Sequence, residues 1–92
     1  MIDRLREPGN DIERPQEPKF ESDSFTDLIY DEKGKGHQAT ISYSGYYYDY
    51  ALRICKLTVS TGLRHVEMED VLNLLQFREN KRVEIECNLE LV

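Results

Sequence analysis

The sequence predicts an α+β fold: a small antiparallel sheet in the order β-β-β-α-β, packed on one helix and preceded by an extended acidic N-terminal arm. Three patterns carry that prediction. Apolar side chains alternate with polar ones from Val83 to Leu91, the period of a half-buried strand. Met68, Val71, Leu72 and Leu75 recur at i, i+3, i+4 and i+7, the stripe of an amphipathic helix. Charge is segregated: residues 1–32 hold ten acids and four bases, whereas residues 33–92 hold eight of each, so the net charge of −6 lies in the first third of the 92 residues.

Residues 1–24 read as a flexible acidic arm and residues 25–92 as a small α+β domain. All three prolines (Pro8, Pro15 and Pro18) fall in the arm, with only Met1, Ile2, Leu5, Ile12 and Phe20 as apolar side chains. So little apolar surface does not offset the roughly 1–2 kcal/mol per residue that backbone ordering costs. The plain reading is a tail. The functional one is an arm that becomes ordered on a partner, with Leu5, Ile12 and Phe20 as anchors.

Within the domain, Phe25-Thr-Asp-Leu-Ile-Tyr30 fits either a helical turn or a first strand. The two glycines of Glu32-Lys-Gly-Lys-Gly36 favour a strand that turns back. From His37 to Ser60 the chain is rich in aromatic and β-branched residues. Ala39, Ile41 and Tyr43 alternate with polar neighbours. The phase shifts at Ser44-Gly45, as a bulge or tight turn would require, and again near Lys56. A helix over residues 47–57 is the competing reading, disfavoured by its tyrosines and by Thr58-Val59-Ser60. Residues 67–81 form the helix, with Glu67, Glu69 and Asp70 in the first turn, Arg78, Lys81 and Arg82 at the end and Asn80 as its stop. The final strand, Val83–Val92, shows Glu84, Glu86 and Glu90 on its outer face and pairs either within the sheet or with a second copy.

No apolar run approaches the roughly 18 residues of a membrane span. The N-terminus lacks the apolar stretch of a secretory signal, so a cytoplasmic location is expected. The acidic balance opposes a sequence-independent grip on nucleic acid, which needs surplus Lys and Arg. Cys55 and Cys87 read as buried, reduced thiols, or as cross-strand neighbours able to pair. With His37 and His65 they match no zinc spacing, and no metal or other cofactor is expected. No Ser, Thr or Cys has a base at a telling distance in sequence, so an enzyme is not expected. Lys33-Gly-Lys-Gly36 lacks the phosphate-loop spacing and reads as a hairpin turn.

The unusual feature is a tyrosine cluster: five of the six tyrosines lie between Tyr43 and Tyr50, interleaved with Ser42, Ser44, Gly45 and Asp49. Consecutive strand residues face opposite ways, so Tyr46, Tyr47 and Tyr48 cannot all enter a one-sided core. Tyrosine with serine, glycine and aspartate is the composition of protein-binding surfaces. The plainer alternative is a sheet edge whose hydroxyls reach water. The candidate partner-binding residues are Glu13, Glu17, Phe20, Glu21, Asp23, Tyr46, Tyr47, Tyr48, Asp49 and Tyr50. The expected function is a protein-binding module, an inhibitor whose acidic arm occupies a basic groove meant for nucleic acid in a larger partner. Short acidic chains of this format occur among phage anti-defence inhibitors (such as anti-CRISPR or anti-restriction proteins), antitoxins and immunity proteins, an analogy of format alone. Two alternatives stand beside it. One is a nucleic-acid-binding regulator using the tyrosines with Lys33, Lys35, Arg53, Lys56 and Arg64. The other is a structural subunit that dimerises through the last strand.

Overall fold

The structure is a computed structural model and describes residues 17–92. It contains five strands and one helix: β1 (Lys19–Tyr30), β2 (Gly36–Tyr48), β3 (Ala51–Thr61), α1 (Met68–Glu79), β4 (Arg82–Ile85) and β5 (Leu89–Leu91). β1, β2 and β3 form an antiparallel meander. β4 and then β5 line the far side of β3. The predicted order of elements holds, and the sheet is mostly antiparallel.

The direction of the last strand differs from the expectation, because β4 and β5 run parallel to β3. The helix causes this. Its 12 residues span about 18 Å at the rise of an α-helix. It therefore carries the chain back to the end where β3 began, and only a parallel strand starts there. The last strand is also broken. Ile54 and Leu57 of β3 face Ile85 and Leu89, so the final segment has one more residue to place, and Glu86–Asn88 lie outside both strands. The Glu86 amide still donates to the Ile54 carbonyl at 2.8 Å.

The first strand begins earlier than the expected boundary at residue 24. Lys19–Ser24 belong to β1 and pair with Tyr47–Ser42 of β2. They join the sheet without joining the interior, since Phe20 is 78% exposed and the buried positions of β1 are Phe25 and Ile29. Of the expected arm, residues 1–16 lie outside the described residues. The alternative helix over residues 47–57 is replaced by a hairpin and the start of β3.

One face of the sheet carries the core. Phe25 and Ile29 of β1, Ala39, Ile41 and Tyr43 of β2, Leu52, Ile54, Leu57 and Val59 of β3, and Val83 of β4 meet Val71 and Leu75 of α1. Each large apolar side chain buried here contributes about 1.5–3 kcal/mol. Met68, Leu72 and Leu74 pack on the same cluster, as the helical stripe requires. Asn80 stops the helix in the left-handed conformation (φ 55°), its N–H donating to the Gln76 carbonyl. The opposite sheet face is open and polar at its centre, where the Ser24–Ser42 and Thr26–Thr40 hydroxyls bond across β1 and β2 at 3.0 and 3.2 Å.

The register of β2 against β3 shifts at Ser44/Gly45, where the sequence suggested a bulge. The extra residue is Cys55 on β3, however, and β2 keeps its phase: Ala39, Ile41, Tyr43, Gly45 and Tyr47 share the helix side. The bulge brings the β3 backbone so close to Gly45 that a Cβ there would lie 2.0 Å from the Arg53 carbonyl oxygen. Gly45→Ala is therefore expected to lose at least about 2 kcal/mol by forced displacement of β3. Gly62→Ala, with nothing within 4 Å, should change stability by under about 0.5 kcal/mol. Urea unfolding of the two variants checks this, and equal losses would refute the close-approach argument.

Lys33-Gly-Lys-Gly36 is a hairpin turn. The Asp31 carboxylate accepts from the Lys33 and Lys35 amides, each at 2.9 Å, and bonds the His37 ring at 2.9 Å. The His37 bond, followed by the Lys35 amide, holds the Asp31 carboxyl below its ordinary value. A lowered folded-state value means this stabilisation is complete above the ordinary carboxylate range and is lost as pH falls through the folded value. In an acid titration followed by amide NMR, Lys33 and Lys35 should shift together at a pH below that range, while the core amides stay fixed. A transition at the ordinary carboxylate pH would contradict the network.

Candidate functional site

The tyrosines gather where the β2–β3 hairpin closes. Tyr48 and Ala51 are paired, so the connection is Asp49-Tyr50 alone. Both residues are left-handed, with φ of 57° and 65°, as tight hairpins of right-twisted strands demand. Aspartate tolerates this region because its short side chain bonds locally. Tyrosine gains nothing comparable, and the conformation costs about 1–2 kcal/mol for a residue with a Cβ. Tyr50 is nevertheless 77% exposed, so core packing does not offset that strain.

The turn fixes which tyrosines face which way. Tyr43 and Tyr47 point to the helix side, Tyr46 and Tyr48 to the open face. On the open face Phe20 of β1 meets Tyr46 edge-to-face with ring centroids 6.2 Å apart. The Tyr46 hydroxyl donates to Glu86 at 3.2 Å. Arg53 lies between these rings and the last strand. Its Nε donates to Glu84 at 3.0 Å, lies 3.9 Å from Glu86, and its guanidinium sits 6.0 Å from the Tyr48 ring centre. Arg82 adds a second contact to Glu84 at 2.7 Å. Arg53 thereby holds the Glu84 carboxyl below its ordinary value. Burial and then Glu86 push the Tyr46 phenol up.

On the helix side, the last turn of α1 and the residues after it are fastened to the same end of the sheet. The Tyr43 hydroxyl donates to Glu79. Arg78 lies 4.4 Å from the Phe25 ring centre and 4.0 Å from Asp23, and Lys81 lies 4.3 Å from the Tyr47 ring centre. Burial, then the Glu79 carboxylate, raises the Tyr43 phenol well above its ordinary value.

The predicted site residues thus fall into three groups at one end of the molecule. Phe20, Tyr46 and Tyr48 form an aromatic patch on the open face. Asp49 and Tyr50 form the tip. Glu21, Asp23 and Tyr47 lie on the helix side, Tyr47 largely covered by Lys81. Glu17 is exposed just ahead of β1, and Glu13 lies outside the described residues. Glu84 and Glu86 join the site although the sequence placed them only on the outer face of the last strand, and with them Arg53, which the sequence offered only to the nucleic-acid alternative. Their meeting depends on the parallel β3–β4 register, which no local pattern encodes.

The remaining candidates are scattered. Cys55 is exposed, contrary to the expectation of burial, because it is the bulge residue. Cys87 is partly buried, and both thiols are free. His37 and His65 each bond a carboxylate, Asp31 and Glu67, at the opposite end of the sheet. Among the described residues no group of three His, Cys, Asp or Glu is placed to hold a metal ion. No helix among them is long and apolar enough to cross a membrane. Lys33, Lys35 and Arg64 lie in connections at the end away from the tyrosines. Compared with known proteins, the chain matches no family model, no curated protein and no solved structure.

If Tyr50 is held in strain, relieving it stabilises the fold. Tyr50→Gly is expected to raise stability by about 1 kcal/mol, read as a Tm increase of roughly 4–8 °C for a domain of this size. A lower Tm would mean that the phenol ring supports the hairpin.

Proposed function

We propose that this protein is a non-enzymatic binding module that attaches to a larger protein with a basic surface. In this reading it acts as an inhibitor, occupying that surface in place of nucleic acid. The observation that carries the reading is Tyr50: a large aromatic side chain, exposed, at positive φ, in a turn that glycine would close with less strain. Strain retained at an exposed aromatic is a recognised mark of a contact residue. Its neighbours fit the same use. Phe20, Tyr46 and Tyr48 supply rigid apolar area, and Glu17 and Asp49 supply negative charge beside it, while Glu84 and Glu86 are balanced by Arg53 and Arg82. Exposed acids beside an aromatic patch speed association with a basic partner.

The nucleic-acid alternative is less well supported by the same geometry. Arg53, the base beside the open-face tyrosines, is committed to Glu84 and approaches Glu86. Lys33, Lys35 and Arg64 sit at the far end, too remote to follow a backbone past the aromatic patch, which leaves Lys56, opposite Ser44 on the open face, as the remaining candidate base near the tyrosines.

Affinity capture from lysate of the source cells, with wild-type chain and with Tyr48→Ala, Tyr50→Gly and Lys33→Ala variants, tests the proposal. A true partner is retained by wild type and Lys33→Ala and released about tenfold faster or more by Tyr48→Ala. Adding the wild-type chain should then displace nucleic acid from that partner. Equal retention by all variants would refute the tip as the contact. A gel shift of nucleic acid by the chain alone would favour the alternative.

A further inference from the structure

The long edge of the sheet lies elsewhere. β1 is 12 residues long, and no described residue pairs with its outer side. A strand alternates the side to which its backbone groups point, so every second amide of β1 faces outward. The Ser24 and Leu28 amides identify which ones: each is bonded at 2.7 Å by the carboxylate of the residue before it, Asp23 and Asp27, and so neither donates to β2. The even-numbered residues therefore present the free edge. Two of its donors are covered by carboxylates from the helix-facing side of the same strand.

This arrangement selects what can dock there. Because outward residues are all even-numbered, a second copy of β1 lying antiparallel can centre on Ser24 or on Phe25. The first register sets Glu21 opposite Asp27 twice. The second sets Asp23 opposite Asp27 twice. Directly opposed like charges destabilise a strand pair, and inward charges on an edge are a known device against self-pairing. An incoming strand with Lys or Arg opposite Asp23 and Asp27 meets the reverse situation. It sets a base against Asp27 and another beside Asp23, whose present basic neighbour is Arg78 at 4.0 Å. It draws both carboxylates off the Ser24 and Leu28 amides, and offers carbonyls to those amides instead.

The space beside the edge accommodates such a strand. A groove of about 300 Å³ between β1 and α1 is lined by Leu28, Ile29, Tyr30, Asp70, Asn73 and Leu74. It adjoins a second of about 420 Å³ that shares Ile29, Tyr30 and Asp70 and adds Asp31, Glu67 and Val66. The first is mostly apolar with Asp70 at its rim, and the second mixes its acids with Lys33 and His65. They lie where side chains on the helix side of an added strand would project.

We propose that the outer edge of β1 is a second binding surface, distinct from the hairpin tip. It takes an extended segment of another protein by antiparallel strand addition. The segment carries basic residues four apart, opposite Asp23 and Asp27, with an apolar residue between them beside Phe25 and another over the groove at Ile29. Backbone bonds supply the attachment and the charge spacing the selectivity.

The probe is an amidated peptide of the pattern Ile-Thr-Lys-Thr-Val-Thr-Arg-Thr, titrated into the full chain and followed by amide NMR. The result expected is saturable binding that shifts the Ser22, Ser24, Thr26, Leu28 and Tyr30 amides. It should be lost when the peptide's edge-facing amides are N-methylated or its bases are replaced by Glu. Asp23→Asn with Asp27→Asn should weaken it about threefold to tenfold, whereas Tyr48→Ala leaves it unchanged. No binding, shifts confined to the Tyr46–Tyr50 end, or equal binding of the Glu peptide would overturn the proposal. Concentration-dependent self-association of the wild-type chain, abolished by substitutions in β1, would overturn the choice of occupant.

Discussion

One helix has to cover a sheet of five strands, and it can cover only one face. That constraint organises the rest of the molecule. The helix-facing positions of β1, β2, β3 and β4 converge on Val71 and Leu75, and any shift of register by one residue would turn a strand's apolar set outward. The bulge at Cys55 is tolerated because it restores the phase: Leu52 and Ile54 before it and Leu57 and Val59 after it all reach the core. Gly45 makes the bulge sterically possible, and the break at Glu86–Asn88 absorbs the mismatch on the other side of β3. The uncovered face is satisfied differently, by hydroxyl pairs between β1 and β2 and by the Arg53–Glu84 ion pair toward the last strand.

The two proposed surfaces follow from the same limit. With no second layer over the sheet among the described residues, the aromatic residues on the open face have no core to enter there. The edge strand likewise has no neighbour among the described residues, and carboxylates on the strand itself restrain its pairing. The tip draws on Phe20 near the start of β1, and the edge on the outer side of the same strand from Ser22 to Tyr30. They use different chemistry, rigid aromatic area in one case and backbone donors screened by acids in the other.

The sequence exposed those features whose cause is local. The stripe from Met68 to Leu75, the alternation of Val83, Ile85, Leu89 and Leu91, the Asn80 stop and the hairpin at Lys33–Gly36 were all readable, since each rests on a period or a turn residue. The tyrosine orientation was open because it depends on where the hairpin turns. Asp49-Tyr50 carries none of the glycine or asparagine that normally marks such a turn. Cys55 as the extra residue, the parallel course of β4 and the Arg53–Glu84 contact all depend on pairing between distant segments. The sequence places Asp23 among the arm's partner-binding acids, and Asp27 only in the acidic first third of the chain. Their use on individual amides becomes visible only once β1 is known to be an edge.

Tyr43 has a consequence of its own. Its phenol is 5% exposed, donates to Glu79 and ionises far less readily than a free tyrosine. A group whose folded-state value is raised keeps its full contribution below its ordinary value and loses it as pH climbs toward the folded one. Alkali is thus a reagent that would unfasten the last turn of the helix from Tyr43. The first phenolate to form in the core would stand against a carboxylate it can no longer serve as a donor.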